Sequence, residues 1–169
     1  MILQNNVEDP MLIRGAFGHY PSGVAALSAD VEGQRHVIVA SSFMVGISMD
    51  PPLVSFAPQH SSSTWPLLRR ATRIGVSVLG TEQDGLCRQL SGKDRANRFA
   101  GVQTTATDLG AVFIHGASSW MDCSIHSENQ AGDHDMVLLQ VHGLNFDRTV
   151  EPLLFHGSAF REMAVRVAA

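Results

Sequence analysis

The chain has 169 residues, 44% of them hydrophobic and 17% charged, with a formal net charge of −4 at pH 7. That length suits a single domain with one sizeable core, and the composition excludes a disordered chain. An acidic balance without a Lys/Arg cluster excludes nucleic acid as the main partner, and no apolar run approaches the length of a bilayer span, so no membrane association is expected. The opening MILQNNVEDP lacks the basic-then-apolar order of a secretory signal, which leads us to expect a cytoplasmic location.

In chain order, Asp9-Pro10 opens a helix, with the acid as N-cap and proline at the first helical position; it runs through Met11, Leu12, Ala16 and Phe17 to Gly18. Val24 to Leu27 reads as a strand, Val31-Glu32-Gly33-Gln34 as a turn, and Val37 to Ala40 as the next strand. Asp50-Pro51-Pro52 breaks the chain before a strand at Leu53 to Ala57, because proline disfavours helix before it and donates no ladder bond. A helix is expected from Thr64 to Ala71, a buried strand over Ile74 to Leu79, and a second helix from Thr81 to Ser91-Gly92, where Lys93 leaves on a loop. Ala100 to Leu109 shows little periodicity and is read as irregular. Strands are expected at Ala117 to Ser127, Met136 to Asn145 and Leu153 to His156, ahead of a frayed AVRVAA tail. Many short strands with tight turns and a few inserted helices point to a mainly β fold, an antiparallel barrel rather than a doubly wound parallel sheet.

The stretch from Val37 to Thr64 carries the candidate site. Each of its two strands runs at once into small hydroxyl residues, Ser41 and Ser42 after the first and Ser61 to Thr64 after the second. Such residues let backbone N–H groups and hydroxyls approach an oxygen-rich ligand. The second cluster sits at an expected helix start, with Thr64 as N-cap, and unpaired N–H groups there suit a phosphate. One turn for a polar ring edge and one for a phosphate suggest a nucleotide-like cofactor; the plainer reading is that these are turn and cap residues. No G-x-G-x-x-G follows any strand, so a dinucleotide would bind by some other fold. Cys87 and Cys123 match no metal or redox spacing and read as ordinary thiols, and no two of the histidines stand three to five residues apart, so no metal site is expected.

Ordered pieces of the chain resemble the flavin reductase-like family with its FMN-binding split barrel. They are Phe17 to Val24, A-S-S-F at Ala40 to Phe43, S-M-D-P-P-L at Ser48 to Leu53, Ser62 with Thr64, and G-V-S-V-L at Gly75 to Leu79. The series continues with Gly92-Lys93, R-F-A-G at Arg98 to Gly101, W-x-D-C at Trp120 to Cys123, A-G-D-H at Ala131 to His134 and P-L-L-F at Pro152 to Phe155. The resemblance implies a single split-barrel domain over 11–162, between an N-terminal arm (1–10) and a C-terminal tail (163–169). It also implies a homodimer with flavin near the subunit interface.

On matched positions, Val39, Ala40, Ser41, Ser42 and Phe43 would meet or back the flavin ring, and Ser55 and Ala57 would line the ring or its ribityl chain. Ser62, Ser63, Thr64 and Lys93 would hold the phosphate. His134 would stand by the nicotinamide as the residue closest to the chemistry, in an orienting rather than a base role, with Pro21 and Ser22 at the mouth of the same pocket. The resemblance further implies FMN or FAD as cofactor, NADH or NADPH as hydride donor, and a flavin-dependent monooxygenase partner supplied with diffusible reduced flavin. Met44-Val45, Asn97, Gln140 and His156-Gly157 depart from the family pattern. The alternatives are a flavin-binding protein of the same fold without reductase activity, and a dimerisation module with an empty barrel.

Overall fold

In the computed structural model, which describes Leu3 and residues 7–164, the chain opens with helix α1 (Pro10–Gly18) and strands β1 (Ser22–Gly23), β2 (Ala25–Val31), β3 (Gln34–Ala40), β4 (Met44–Met49) and β5 (Pro52–Phe56). Helix α2 (Trp65–Leu68), strand β6 (Ile74–Val78) and helix α3 (Asp84–Leu90) follow. The chain continues through β7 (Thr104–Ala106), β8 (Val112–Ile114), the long hairpin β9 (Ser119–Ala131) and β10 (His134–Phe146), β11 (Leu154–His156) and β12 (Ala159–Arg161). Residues 165–169 of the expected tail, and 1, 2 and 4–6 of the expected arm, lie outside the described residues.

Local chemistry accounts for several boundaries. The Asp9 carboxylate accepts the N–H of Met11 at 2.8 Å, capping α1 ahead of Pro10 as its composition predicts. Glu32 and Gly33 both take positive φ, 55° and 81°, the backbone that a two-residue turn needs to match the twist of β2 and β3. The β9–β10 hairpin likewise turns on Gly132-Asp133, with Gly132 at φ 64°.

Seven strands form one antiparallel sheet in the order β3-β2-β6-β9-β10-β5-β4. The expectation of a mainly β, antiparallel fold holds, but the sheet is not a closed barrel: β3 and β4, at its two ends, make no ladder with each other among the described residues. Strand β4 is irregular between Met44 and Ser48, where Gly46 takes φ 75°, and such a bulge bends an edge away from regular pairing. Strands β1, β4, β7, β8 and β12 are not among the expected elements, and β7 falls within Ala100 to Leu109, which lacks a strand's periodicity.

One face of the sheet buries Leu27, Val54, Phe56, Val76 and Leu139 with Trp65 and Leu68, the Phe56 and Trp65 rings meeting edge to face at 5.0 Å. A second cluster joins Val37, Leu79 and Leu153 to Cys87 and Leu90 of α3. The β7–β8 hairpin lies against β6, where Ser77 Oγ accepts the N–H of Ile114 at 3.0 Å. Both cysteines are buried and unpaired, and burial pushes the Cys87 thiol up and the Cys123 thiol up to about 12, which keeps both protonated and unreactive.

Candidate functional site

The first serine turn, Ser41 to Phe43, links β3 to β4 and is held against the end of β5. Ser42 Oγ accepts the N–H of Ala57 at 3.1 Å and lies 3.4 Å from the Ala57 carbonyl, so its hydroxyl joins the two strand ends instead of reaching outwards. Phe43 packs against the main core. Among the described residues no backbone hydrogen bond engages the N–H of Ser41, Ser42 or Phe43. These donors are what the turn offers a ligand. Val39 is half-buried and packs with the second cluster, and Ala40 sits in the main core. Ser55 is buried inside the sheet, paired with Leu138 on one side and Met44 on the other, so only Ala57 stands at the open end of its strand.

The second turn, Ser61 to Thr64, differs locally from expectation. The helix read over Thr64 to Ala71 is one turn, Trp65–Leu68, and the Thr64 side chain makes no cap bond; Ser62 Oγ accepts the N–H of Trp65 at 3.1 Å in its place. A four-residue helix sums few peptide dipoles, so a helix-start field contributes little here. The hydroxyls themselves carry the chemistry. Ser62 accepts from Trp65, Ser63 Oγ accepts from Arg95 Nη2 at 3.0 Å, and Thr64 Oγ1 accepts from Arg98 Nη1 at 3.2 Å. A hydroxyl whose lone pair already accepts a bond keeps its own O–H to donate; Ser62 and Ser63 lie open enough to offer theirs to an acceptor-only ligand such as a phosphate, while Thr64 is buried behind them.

Two arginines face this turn. Arg98 Nε donates to the Gly92 carbonyl at 2.8 Å and Nη1 to the Val37 carbonyl at 3.0 Å, tying the loop that carries Lys93 to β3 and to Thr64. Arg95 Nη1 also reaches the Ser63 carbonyl at 3.4 Å. Among the described residues none of Lys93, Arg95 and Arg98 lies in ion-pair contact with a carboxylate. Burial, then the Arg95 charge, lowers the Arg98 guanidinium below its ordinary value. His36 on β3 is lowered too, first by burial and then by Arg95, against an opposing pull from Asp30, with Arg70 adding to the lowering. Two arginines against the hydroxyls favour an anion, offset in part by the Asp94 carboxylate of the same loop, which Asn97 engages at 2.7 Å. Arg98 belongs to the R-F-A-G piece of the resemblance, but neither it nor Arg95 is among the expected binding residues; only the fold sets them against Ser63 and Thr64.

His134 stands just past the hairpin turn, where Gln59 bridges to it and connects it to the Ala57 end of β5. Its Nδ1 lies 2.7 Å from the Asp133 carboxylate, and this bond from His134 is the main cause holding the exposed Asp133 below the usual carboxylate range. A carboxylate only accepts, so Nδ1 carries the proton and Nε2 is the nitrogen left for a ligand. Ser41, Ser42, Ala57 and His134 therefore share one connected frame. Pro21 and Ser22 are not joined to it: Ser22 pairs with Phe155 in the small sheet β1-β11-β12, and neither residue hydrogen-bonds or pairs with His134 among the described residues.

An apolar hollow of about 410 Å³, walled by Phe113, Trp120 and Leu144, contains none of these residues. Of the departures from the family pattern, Asn97 donates to Asp94 at 2.7 Å within the Lys93 loop, Met44 and Val45 lie exposed on the edge strand, and Gln140 pairs with Leu53.

Comparison with known proteins gives a consistent picture. Residues 17–164 match the model of the family described as flavin reductase like domain. The chain is 37% identical to a flavin reductase of Pseudomonas putida over 90% of its length and 89% of the relative's. It is 32% identical to the reductase subunit HsaB of a flavin-dependent monooxygenase from Rhodococcus jostii, covering 88% of this chain and 75% of that one. Among solved structures, the NADH:FAD oxidoreductase SgcE6 of Streptomyces globisporus, in complex with NAD and FAD fragments, superposes with a TM-score of 0.89 at 27% identity, over 96% of this chain and 98% of that chain.

Proposed function

The chain belongs to the flavin reductase-like domain family, and from that premise we propose that it is an NAD(P)H-dependent flavin reductase that binds FMN or FAD at its two serine turns and releases reduced flavin to a flavin-dependent monooxygenase. The observation that carries this reading is the Ser62-Ser63-Thr64 row, each hydroxyl accepting a bond from within the protein, the last two from Arg95 and Arg98, with Lys93 on the loop that Arg98 ties to Thr64. Those groups fit the phosphate end of a flavin nucleotide. When bound, the flavin supplies the ring that accepts hydride from NADH or NADPH.

The chain's own residues act by placement. The free N–H groups of Ser41 to Phe43 would hold the polar ring edge, as donors suited to the negative charge of a reduced flavin. Ala57, held by Ser42, fixes the wall beside it. His134 would orient the nicotinamide through Nε2, the nitrogen left open by its bond to Asp133; hydride transfer between two rings requires no nucleophile or strong base, so the imidazole would act by placement alone. This reading leaves Pro21 and Ser22 at the pocket mouth as contacts to the incoming dinucleotide.

The same reading makes the protein a cytoplasmic homodimer with the split-barrel arrangement of its family. Supporting it, Met44, Val45, Ile47 and Met49 lie exposed along the edge strand β4, and Leu144 and Phe146 along β10, a bare ladder edge and apolar surface of the kind that a second copy covers. No helix among the described residues is long and apolar enough to cross a membrane.

Purified protein mixed with NADH or NADPH and with FMN, FAD or riboflavin is expected to oxidise the nicotinamide in a flavin-dependent way. Flavin binding without turnover would instead favour the carrier reading. A second measurement addresses the anion end directly. His36 is held below its ordinary value of 6.5, so the fold prefers its neutral form, and this contribution to stability is full above 6.5 and declines as pH falls towards the folded value. A phosphate beside Arg95 offsets one cause of that lowering. NMR titration of the imidazole is therefore expected to show the His36 pKa rising when FMN binds and staying put with riboflavin; no movement with FMN would place the phosphate elsewhere.

A further inference from the structure

The link between β5 and the hairpin continues past the last regular pair, Phe56 with Val137. Asp135 N–H donates to the Pro58 carbonyl at 3.0 Å, Gln59 bridges to His134, and His60 N–H donates to the Asp133 carbonyl at 2.9 Å. One side-chain contact closes this stretch: His60 Nε2 lies 3.0 Å from Asp135 Oδ1. The segment from Ala57 to His60 thus touches the Ser42 hydroxyl at one end, runs into the hydroxyl turn at the other, and grips both neighbours of His134 in between. Asp135 and His134 are adjacent on an extended strand, so their side chains leave on opposite faces and His60 cannot share a ligand with His134 through that contact.

We propose that His60 and Asp135 are positioning residues for hydride transfer: their pair fixes the start of β10 against the flavin-bearing segment and so sets the place of the His134 imidazole. This rests on the reading of His134 as the nicotinamide-facing group. The pair is partly exposed, and such contacts add little to stability, so their removal leaves the fold intact. Its effect is on geometry. Transfer between two stacked rings depends steeply on their separation, and a displacement of about 1 Å in a supporting group costs up to roughly 100-fold.

The test is steady-state kinetics of the full chain with NADH or NADPH, alongside flavin titration, for His60→Ala, His60→Gln, His134→Ala and the double variant His60→Ala/His134→Ala. For His60→Ala we expect kcat/KM for the nicotinamide to fall about tenfold, with flavin Kd within about twofold of wild type. His60→Gln keeps an N–H donor for Asp135 and should recover most of the loss. The double variant should be no worse than His134→Ala alone, because a residue that acts through the imidazole has nothing to position once it is gone. An impaired His134→Ala beside an unimpaired His60→Ala overturns the proposal alone, and so do fully additive losses in the double variant. Unaltered nicotinamide kinetics in His134→Ala overturn the reading of His134 and this proposal with it.

Discussion

Alanine at Gly75 is expected to destabilise the protein more than any surface change, by about 3 kcal/mol or more, since overpacking against backbone exceeds the usual cost of an added methyl group. A Cβ built there would collide with the Val112 carbonyl oxygen and lie 2.7 Å from its carbon and 2.9 Å from the Val112 nitrogen. None of these is a flexible side-chain tip that can swing aside. The crowding exists because β8 lies flat on β6, with Ser28 Oγ donating to the same Val112 carbonyl at 2.8 Å and Ser77 receiving the Ile114 N–H. Relief would require lifting the β7–β8 hairpin from the sheet and breaking those bonds. For a domain of this size each kcal/mol moves Tm by about 2–4 °C, so a fall of about 6–12 °C or more is expected by thermal unfolding. A shift under about 2 °C would mean that the hairpin does not rest on Gly75.

The second large effect concerns ligand affinity. Replacing Arg95 or Lys93 by alanine is expected to weaken FMN by about 10–100-fold, the equivalent of one charge-assisted hydrogen bond, while leaving riboflavin within about twofold. The difference isolates the phosphate, because the two ligands share ring and ribityl chain. Arg95 is the sharper probe of the pair: its guanidinium already touches Ser63, so its loss removes a cation and releases a hydroxyl from its acceptor role. Fluorescence titration of both flavins into the apoprotein measures it. Equal loss for FMN and riboflavin would remove these cations from the phosphate role and point to a general collapse of the loop. Arg98 is a poor choice for this test, since its three bonds to Gly92, Val37 and Thr64 hold the site together whether or not a ligand is present.

Much of this protein follows from its order of residues. The Asp9 cap and Pro10, the Glu32-Gly33 turn, the strand after Pro51-Pro52 and the burial of Trp65 all rest on contacts within a few residues, or on a side chain too large and apolar to leave in water. Local sequence also marked the serine turns, because small hydroxyl residues after apolar strands are visible in a short window. Strand β4 is hidden in the sequence for the opposite reason: Met-Val-Gly-Ile-Ser-Met alternates poorly, its residues are largely exposed, and a bulge at Gly46 erases the period that would betray it. The length of α2 was decided by packing, since Trp65 and Leu68 bury themselves in a single turn and the chain then leaves for β6.

What joined the pieces was tertiary structure. Arg95 reaches Ser63 across 32 positions, Arg98 reaches Val37 across 61, and His60 meets Asp135 across 75, and no periodicity or propensity encodes contacts at such separations. The partners of the hydroxyls were set in the same way: Ser62, Ser63 and Thr64 read alike in the chain, and only the donors folded against them decide what each accepts, from Trp65, Arg95 and Arg98 in turn. Residue type determined which groups were on offer, because that is chemistry carried by each side chain alone. Their direction and charge balance were decided by the fold, because both depend on neighbours that the chain supplies from far away.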